Sequence, residues 1–224
     1  RSEDVAQGGQ GAPLVPIGDR LLFSEYQACL NLGGFANISF DNPRGERIAY
    51  DLCPANMALN WVASLAGLSY DHQGALARTG EIKAELLKSL NQLDFYGAMP
   101  PKSLGREWFL ERFLPLMRAS GLRTQDLMAT VAEHIAIQIS AGVNEAGIES
   151  LLLTGGGALN QNLIERLKHY TSASLVIPEK KIIHYKEALI FALLGLLRMR
   201  NEVNCLASVT GGKKDISAGT IHKT

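Results

Sequence analysis

Apolar residues alternate with polar or small ones through two neighbouring stretches near the start of the chain, QACLNL and FANISF, and again in ERIAYDL. Period-two alternation bounded by turn residues predicts strands from Gln27 to Leu32, Phe35 to Phe40 and Glu46 to Leu52, with DNPRG joining the last two into a β-meander. The period then changes. ALNWVASLAGL, Ala58 to Leu68, has helical spacing, and the loop SYDHQGALARTG separates it from a helix at about Glu81 to Leu93, with Thr79 near its start as a candidate cap. Two prolines and two glycines in FYGAMPPKSLGREW break all periodicity and predict a surface loop of the kind that often carries a site. A helix from about Gly105 to Ala119 follows, then a long core helix from Thr124 to Ala146 that opens on a capping Thr and repeats Leu127, Val131, Ile135, Ile139 and Val143. A short buried strand at Leu151 to Thr154, a helix at Gln161 to His169, a strand at Ser174 to Ile177 and a very apolar helix at Tyr185 to Met199 complete the order. Three strands, several helices and a closing β-α-β-α predict an α/β protein with a mixed sheet and flanking helices.

The chain has 224 residues, 46% of them hydrophobic, enough for a core that stands without disulfides in one large or two small domains. Lys plus Arg equals Asp plus Glu at 22 each, so no overall field attracts nucleic acid or an anionic membrane. Cys29, Cys53 and Cys205 are odd in number, far apart and without C-x-x-C spacing, which argues against a disulfide framework or a zinc site and for a reducing cytoplasm. No apolar run is long enough to cross a bilayer. The opening RSEDVAQGGQGAPLVP reads as the inside of a loop, and the chain as a fragment.

In LLLTGGGALNQNLIERL an apolar strand runs into Gly155, Gly156 and Gly157 and then into a helix. Unpaired N–H groups at such a helix start suit an anion. The pattern is neither a full G-x-G-x-x-G nor a Walker A loop, so a ligand loop and a tight turn needing positive φ both stand. Gly33 and Gly34, in LNLGGFANIS, form a second glycine turn between strands, and Asn37 and Asn160 each follow a glycine turn within three residues. His134 reads as a satisfied helix residue, and His72 has no second ligand at metal spacing, so no protein-only metal site is expected. Trp61, Trp108 and ALIFALLGLL read as core, and Lys213 with Asp215 as a surface tail.

Six ordered motifs, DVAQGGQGAPLVP, NLGGFANIS, PPKSLGREWF, LLTGGGALNQNLIERL, KEALIFALLGL and ASVTGGKKD, resemble those of anhydro-N-acetylmuramic acid kinases across nearly the whole chain. That family belongs with sugar kinases, heat-shock ATPases and actin, whose two ribonuclease-H-like lobes close on ATP. The resemblance implies that residues 1–26 hold a catalytic Gly-rich loop and the inter-lobe approach. Residues 27–224 would form the C-terminal ATPase-type lobe with inserted substrate-side helices, the N-terminal lobe is missing, and the chain alone is inactive. It also implies phosphorylation of the 6-oxygen of 1,6-anhydro-N-acetylmuramic acid as water opens the anhydro bridge, in cell-wall recycling.

Residue by residue, the resemblance makes Asp4 the general base and places Gly8, Gly9 and Gly11 against sugar and phosphate. Gly33, Gly34 and Asn37 become a phosphate hairpin, and Gly155, Gly156, Gly157 and Asn160 the adenosine loop. Glu187, Lys102, Ser103 and Arg106 become substrate contacts. Mg²⁺ arrives with ATP, with Asp51 as one ligand. Where relatives read D-T-G-P-G-N this chain has DLCPAN, and Cβ atoms at Cys53 and Ala55 put nucleotide binding in question. The alternatives are a non-catalytic nucleotide- or sugar-binding relative and a kinase of another anhydrosugar. A homodimer is expected through Ala58 to Leu68 or Tyr185 to Met199.

Overall fold

The computed structural model describes residues 1–222. Five strands, β1 (Ala28–Leu32), β2 (Phe35–Asp41), β3 (Arg47–Pro54), β4 (Ser150–Thr154) and β5 (Ser174–Val176), form one sheet in the order β3-β2-β1-β4-β5. The meander β1-β2-β3 is antiparallel, while β4 runs parallel to β1 and β5 parallel to β4. This is the ribonuclease-H-like arrangement that the resemblance implies. The main helices are α1 (Ser2–Ala6), α2 (Val15–Leu22), α3 (Asn56–Leu65), α4 (Ala84–Asn91), α5 (Thr124–Glu145), α6 (Gln161–Tyr170) and α7 (Lys180–Met199). Between α4 and α5, a helix from Arg106 to Ala119 contains one π-helical stretch, Phe109–Phe113.

The strand period divides the sheet into two faces. Ala28, Leu30, Leu32, Ala36, Ile38, Leu151 and Leu153, all wholly buried, join residues of α3, α5 and α6 in one apolar core. On the opposite face α2 and α7 cover part of the sheet with a smaller cluster that includes Ile17, Cys29, Leu152, Ile190 and Leu194. His134 behaves as the helix residue expected. It is fully buried on α5, 2.8 Å from the Tyr96 hydroxyl and 2.6 Å from Asn91 Oδ1, and burial drives its pKa down to about 3. No helix among the described residues is long and apolar enough to cross a membrane.

Several sequence expectations need correction. The opening segment is not all loop, since α1 lies within it and α2 begins at its end, the latter with Pro16 in its first turn where a missing N–H is harmless. Thr79 caps nothing. Its hydroxyl donates to Leu76 O at 2.8 Å, and α4 starts only after Lys83 because the N–H groups of Glu81 and Lys83 are held by Asp126 Oδ1 (2.8 Å) and Thr130 Oγ1 (2.9 Å) on α5. Thr124 is already helical, so Arg123 takes the cap position without a side-chain bond. The last long helix begins at Lys180 rather than Tyr185. Its ALIFALLGLL is not all core: Ile183, Lys186, Ile190, Leu194 and Leu197 form the buried stripe, while Leu189, Phe191, Leu196 and Met199 are exposed.

Candidate active site

A cleft of about 690 Å³ opens over the polar face of the sheet, within the range of small-molecule sites. Asn31, Asn37, Ser39, Asp51 and Thr154 line it from the strands, Gly33 from the β1–β2 turn and Gly155 from the end of β4. Gln10, Ala12 and Pro13 close it from the opening loop, Lys102 and Ser103 from the loop before Arg106, and His184, Lys186 and Glu187 from α7. Of the residues expected from sequence, Gly33, Asn37, Asp51, Lys102, Ser103, Gly155 and Glu187 therefore meet at one cleft. Arg106 stands exposed away from it.

Asp51 is half-buried and accepts the Leu104 N–H at 2.7 Å, while its own N–H donates to Lys102 O at 3.1 Å. That pair pins the Lys102–Leu104 segment to β3. Burial raises the Asp51 carboxyl above its usual range, opposed by the Leu104 N–H. Lys102 Nζ donates to Phe95 O at 3.2 Å and lies 4.8 Å over the Phe95 ring, and burial lowers its pKa. Among the described residues no three His, Cys, Asp or Glu gather as a metal cage. Asp19, Asp51 and Glu187 are the carboxylates lining the cleft, Asp19 paired with Lys186, and oxygen donors of this kind suit Mg²⁺, which keeps waters and is shared with substrate phosphates.

Asp4 does not itself line the cleft. It is 1% exposed in α1, with Oδ2 accepting from Gly11 N at 2.8 Å and Oδ1 from Thr210 Oγ1 at 2.7 Å and Cys205 Sγ at 3.5 Å. Burial alone would raise its pKa, but these donors prevail and hold it below its usual value. A Cβ on Gly9 would fall on the Asp4 carboxylate, so glycine there lets the loop wrap the side chain. Gly8 and Gly11 belong to the same wrap, whose next residues reach the cleft.

The two glycine turns differ. At Gly155, φ is +79°, and a Cβ would lie 2.6 Å from Asn31 Oδ1 and 2.7 Å from Leu32 O. A Cβ on Gly157 would lie 2.7 Å from Leu32 Cβ. The clearance expected for a base and ribose at these two positions is thus occupied by β1 of the protein itself, and of the three glycines only Gly156 has an unfilled Cβ position. Asn160 caps α6 by accepting from Leu163 N at 3.1 Å. In the β1–β2 turn the Gly33 and Gly34 carbonyls accept from Ala55, Asn56 and Met57, while no hydrogen bond among the described residues uses the two glycine N–H groups. Cys53 and Ala55, the departures that put phosphate space in question, are fully buried in the apolar core and line no part of the cleft. Burial raises the Cys53 pKa, which keeps its thiol protonated.

A buried charge network at the cleft floor escaped the sequence reading. Lys186 Nζ lies 2.7 Å from Asp19 Oδ1 and 3.5 Å from Thr154 Oγ1; Ser39 Oγ donates to Asp19 Oδ2 at 2.6 Å, and Arg47 Nη2 to Ser39 Oγ at 3.1 Å. Asp19, Lys186 and Arg47 are each at most 6% exposed, so the pair is a fixed part of the fold. Beside it, burial and then Asp19 push the Cys29 thiol up to about 12. The signal was present: Lys186 falls on the Ile183, Ile190, Leu194 stripe, where a charge has no solvent.

The fold is that of a lobe of the actin, sugar-kinase and heat-shock ATPase class. The activator of the 2-hydroxyisocaproyl-CoA dehydratase from Clostridium difficile with bound ADPNP superposes with a TM-score of 0.51 at 16% identity, over 79% of this chain and 61% of that one. Component A of the (R)-2-hydroxyglutaryl-CoA dehydratase of Acidaminococcus fermentans gives 0.52 at 16% identity, over 79% and 63%. Such identities speak for the fold alone. The sequence is more specific: residues 1–224 match the family model for anhydro-N-acetylmuramic acid kinase, and the chain belongs to that family. Proteins of that name are 36% identical in Aliivibrio fischeri, over 99% of this chain and 64% of the relative, and 37% identical in Vibrio cholerae, over 99% and 63%. The chain thus spans just under two thirds of these relatives' length.

Proposed function

We propose that the protein containing this chain is an ATP-dependent kinase that hydrolyses the anhydro bond of 1,6-anhydro-N-acetylmuramic acid and phosphorylates its 6-oxygen. The observation that carries this reading is the wrapped, ionised Asp4 carboxylate in a Gly-rich loop whose Gln10, Ala12 and Pro13 line the cleft. Asp4 takes a proton from the water that attacks the anomeric carbon. The bond from that carbon to the 6-oxygen breaks, the freed oxygen attacks the γ-phosphorus of ATP, and the bond from that phosphorus to the β–γ bridging oxygen breaks so that ADP leaves. The chain's part is alignment and charge placement.

In this reading Gly33, Gly34 and Asn37 bind phosphate, the two free N–H groups of the turn acting as donors. Gly155 and Gly156 border the adenosine, with Gly157 and Asn160 shaping the turn. Asp51 shares Mg²⁺ with the phosphates. Lys102, Ser103 and Glu187 contact the sugar, while Arg106, exposed at the start of the following helix, is assigned to it by the family motif alone. Residues 1–26 serve as the catalytic loop and approach, and a preceding lobe completes the site. The reading places the enzyme in the cytoplasm with three reduced, buried cysteines, and assigns the exposed side of α7 to a homodimer.

The test is mass spectrometry of the anhydrosugar incubated with ATP, Mg²⁺ and the full-length protein. A product heavier by one phosphoryl group (HPO₃) and one water is expected. A phosphorylated product that retains the anhydro bridge would contradict the hydrolytic step, and no product with ATP still bound would point to another sugar.

A further inference from the structure

We propose that Thr210 is the positioning residue for the general base: it fixes Oδ1 of Asp4 so that Oδ2 is the oxygen that receives the proton of the attacking water. The proposal rests on the kinase reading. Thr210 Oγ1 donates to Oδ1 at 2.7 Å, and Cys205 Sγ lies 3.5 Å from the same oxygen, so both lone pairs of Oδ1 are engaged. Oδ2 holds one donor, Gly11 N at 2.8 Å, which leaves one lone pair for a proton. Thr210 is 1% exposed, and a Cβ on Gly212 would lie 2.8 Å from Oδ1, so the C-terminal segment closes directly on the carboxylate.

That segment is a firmer support than the five-residue helix bearing Asp4. Cys205 and Ile216 exchange backbone bonds of 3.1 Å, Ser208 Oγ donates to Arg47 O on β3 at 2.7 Å, and Asn204 Nδ2 donates to Leu194 O on α7 at 3.0 Å. Gln10 N, in the cleft-lining loop, donates to Thr210 O at 2.9 Å. One residue therefore ties base and loop to the sheet scaffold, although it lies 206 positions from Asp4 in sequence.

The electrostatics agree. Against burial, which raises its pKa, the donors led by Thr210 keep Asp4 low, while burial and Asp4 itself push the Cys205 thiol up to about 11, leaving it a neutral donor. Among the described residues the charge acting on Asp4 is the amino group of Arg1, the residue before its helix, an uncharged amide in a longer chain.

The experiment compares full-length wild type with Thr210→Val and Thr210→Ser, measuring kcat, KM and the pH profile of kcat. Val is expected to lower kcat about tenfold, the worth of one good hydrogen bond to a charged group, with both KM values within about twofold. Without the hydroxyl, burial goes less opposed, so the acidic limb of the profile moves to higher pH; Ser restores both. An active wild type with kcat and acidic limb unchanged in Val would overturn the proposal and leave the kinase reading intact. An inactive wild type would overturn the reading first. Should Val fail to fold, Thr210→Ala against Thr210→Ser asks the same question, and equal profiles in that pair refute the role.

Discussion

On one side of the sheet Leu30, Leu32, Ile38, Leu151 and Leu153 are wholly buried against α3, α5 and α6; on the other, the residues interleaved with them, Asn31, Asn37, Ser39 and Thr154, line a cleft. The same five strands thus carry a dry face and a polar one. The dry face gains its stability from apolar area removed from water. The polar face is held by fixed partners, the Lys186–Asp19 pair and the Ser39 and Arg47 hydrogen bonds beneath the cleft. The apolar core and the site are separated by the strand period of two, and the two faces are stabilised by different means, which is open to experiment.

The largest effect is expected at the polar face. Lys186→Met leaves Asp19 buried without its counterion and should cost about 3–5 kcal/mol in urea unfolding. Adding Asp19→Leu should recover most of that loss; a double variant as unstable as the single one would make the pair a matter of packing rather than charge. On the dry face, Leu153→Ala should cost about 2–5 kcal/mol while the folded fraction keeps its ATP affinity. Asn37→Ala, across the sheet, should show the reverse, with less than about 1 kcal/mol of stability lost and weaker ATP binding by calorimetry.

His134 tests the dry side through pH. Its pKa is about 3 when folded against an ordinary value of about 6.5, so above pH 6.5 it is neutral in both states and contributes no pH dependence. Below that, the unfolded chain takes the proton and the folded one does not. Stability should fall by about 1.4 kcal/mol per pH unit from about 6.5 toward 3. His134→Gln should flatten this share of the slope, and equal slopes would contradict a neutral buried imidazole. A modest change is expected away from the cleft, where Asn160→Ala should cost about 1 kcal/mol through the lost α6 cap.

Strand alternation and helical spacing in the sequence revealed the meander, the closing β-α-β-α and the core stripe of α5, because each is a local pattern of polarity. Element ends depended on distant partners and were not legible. The start of α4 is set by Asp126 and Thr130, 45 and 47 positions away, and that of α3 by the carbonyls of Gly33 and Gly34. The cleft was legible where a motif marked it, at Gly33, Asn37, Asp51, Lys102, Ser103, Gly155 and Glu187. Its floor was not: Asp19 and Lys186 meet only once α2 packs on α7, although a lysine on an apolar stripe was the available clue. The glycine turns had a second reason that sequence did not reveal: a Cβ at Gly155 or Gly157 would meet β1 of the protein itself.

The central claim, that a wrapped Asp4 drives the chemistry of an anhydrosugar kinase, is tested most directly by turnover of full-length Asp4→Asn on 1,6-anhydro-N-acetylmuramic acid, with ATP binding measured on the same sample. The account predicts that phosphorylated product is lost, by at least about a hundredfold, while ATP affinity stays at the wild-type value. Turnover equal to wild type would contradict it and remove Asp4 from the mechanism.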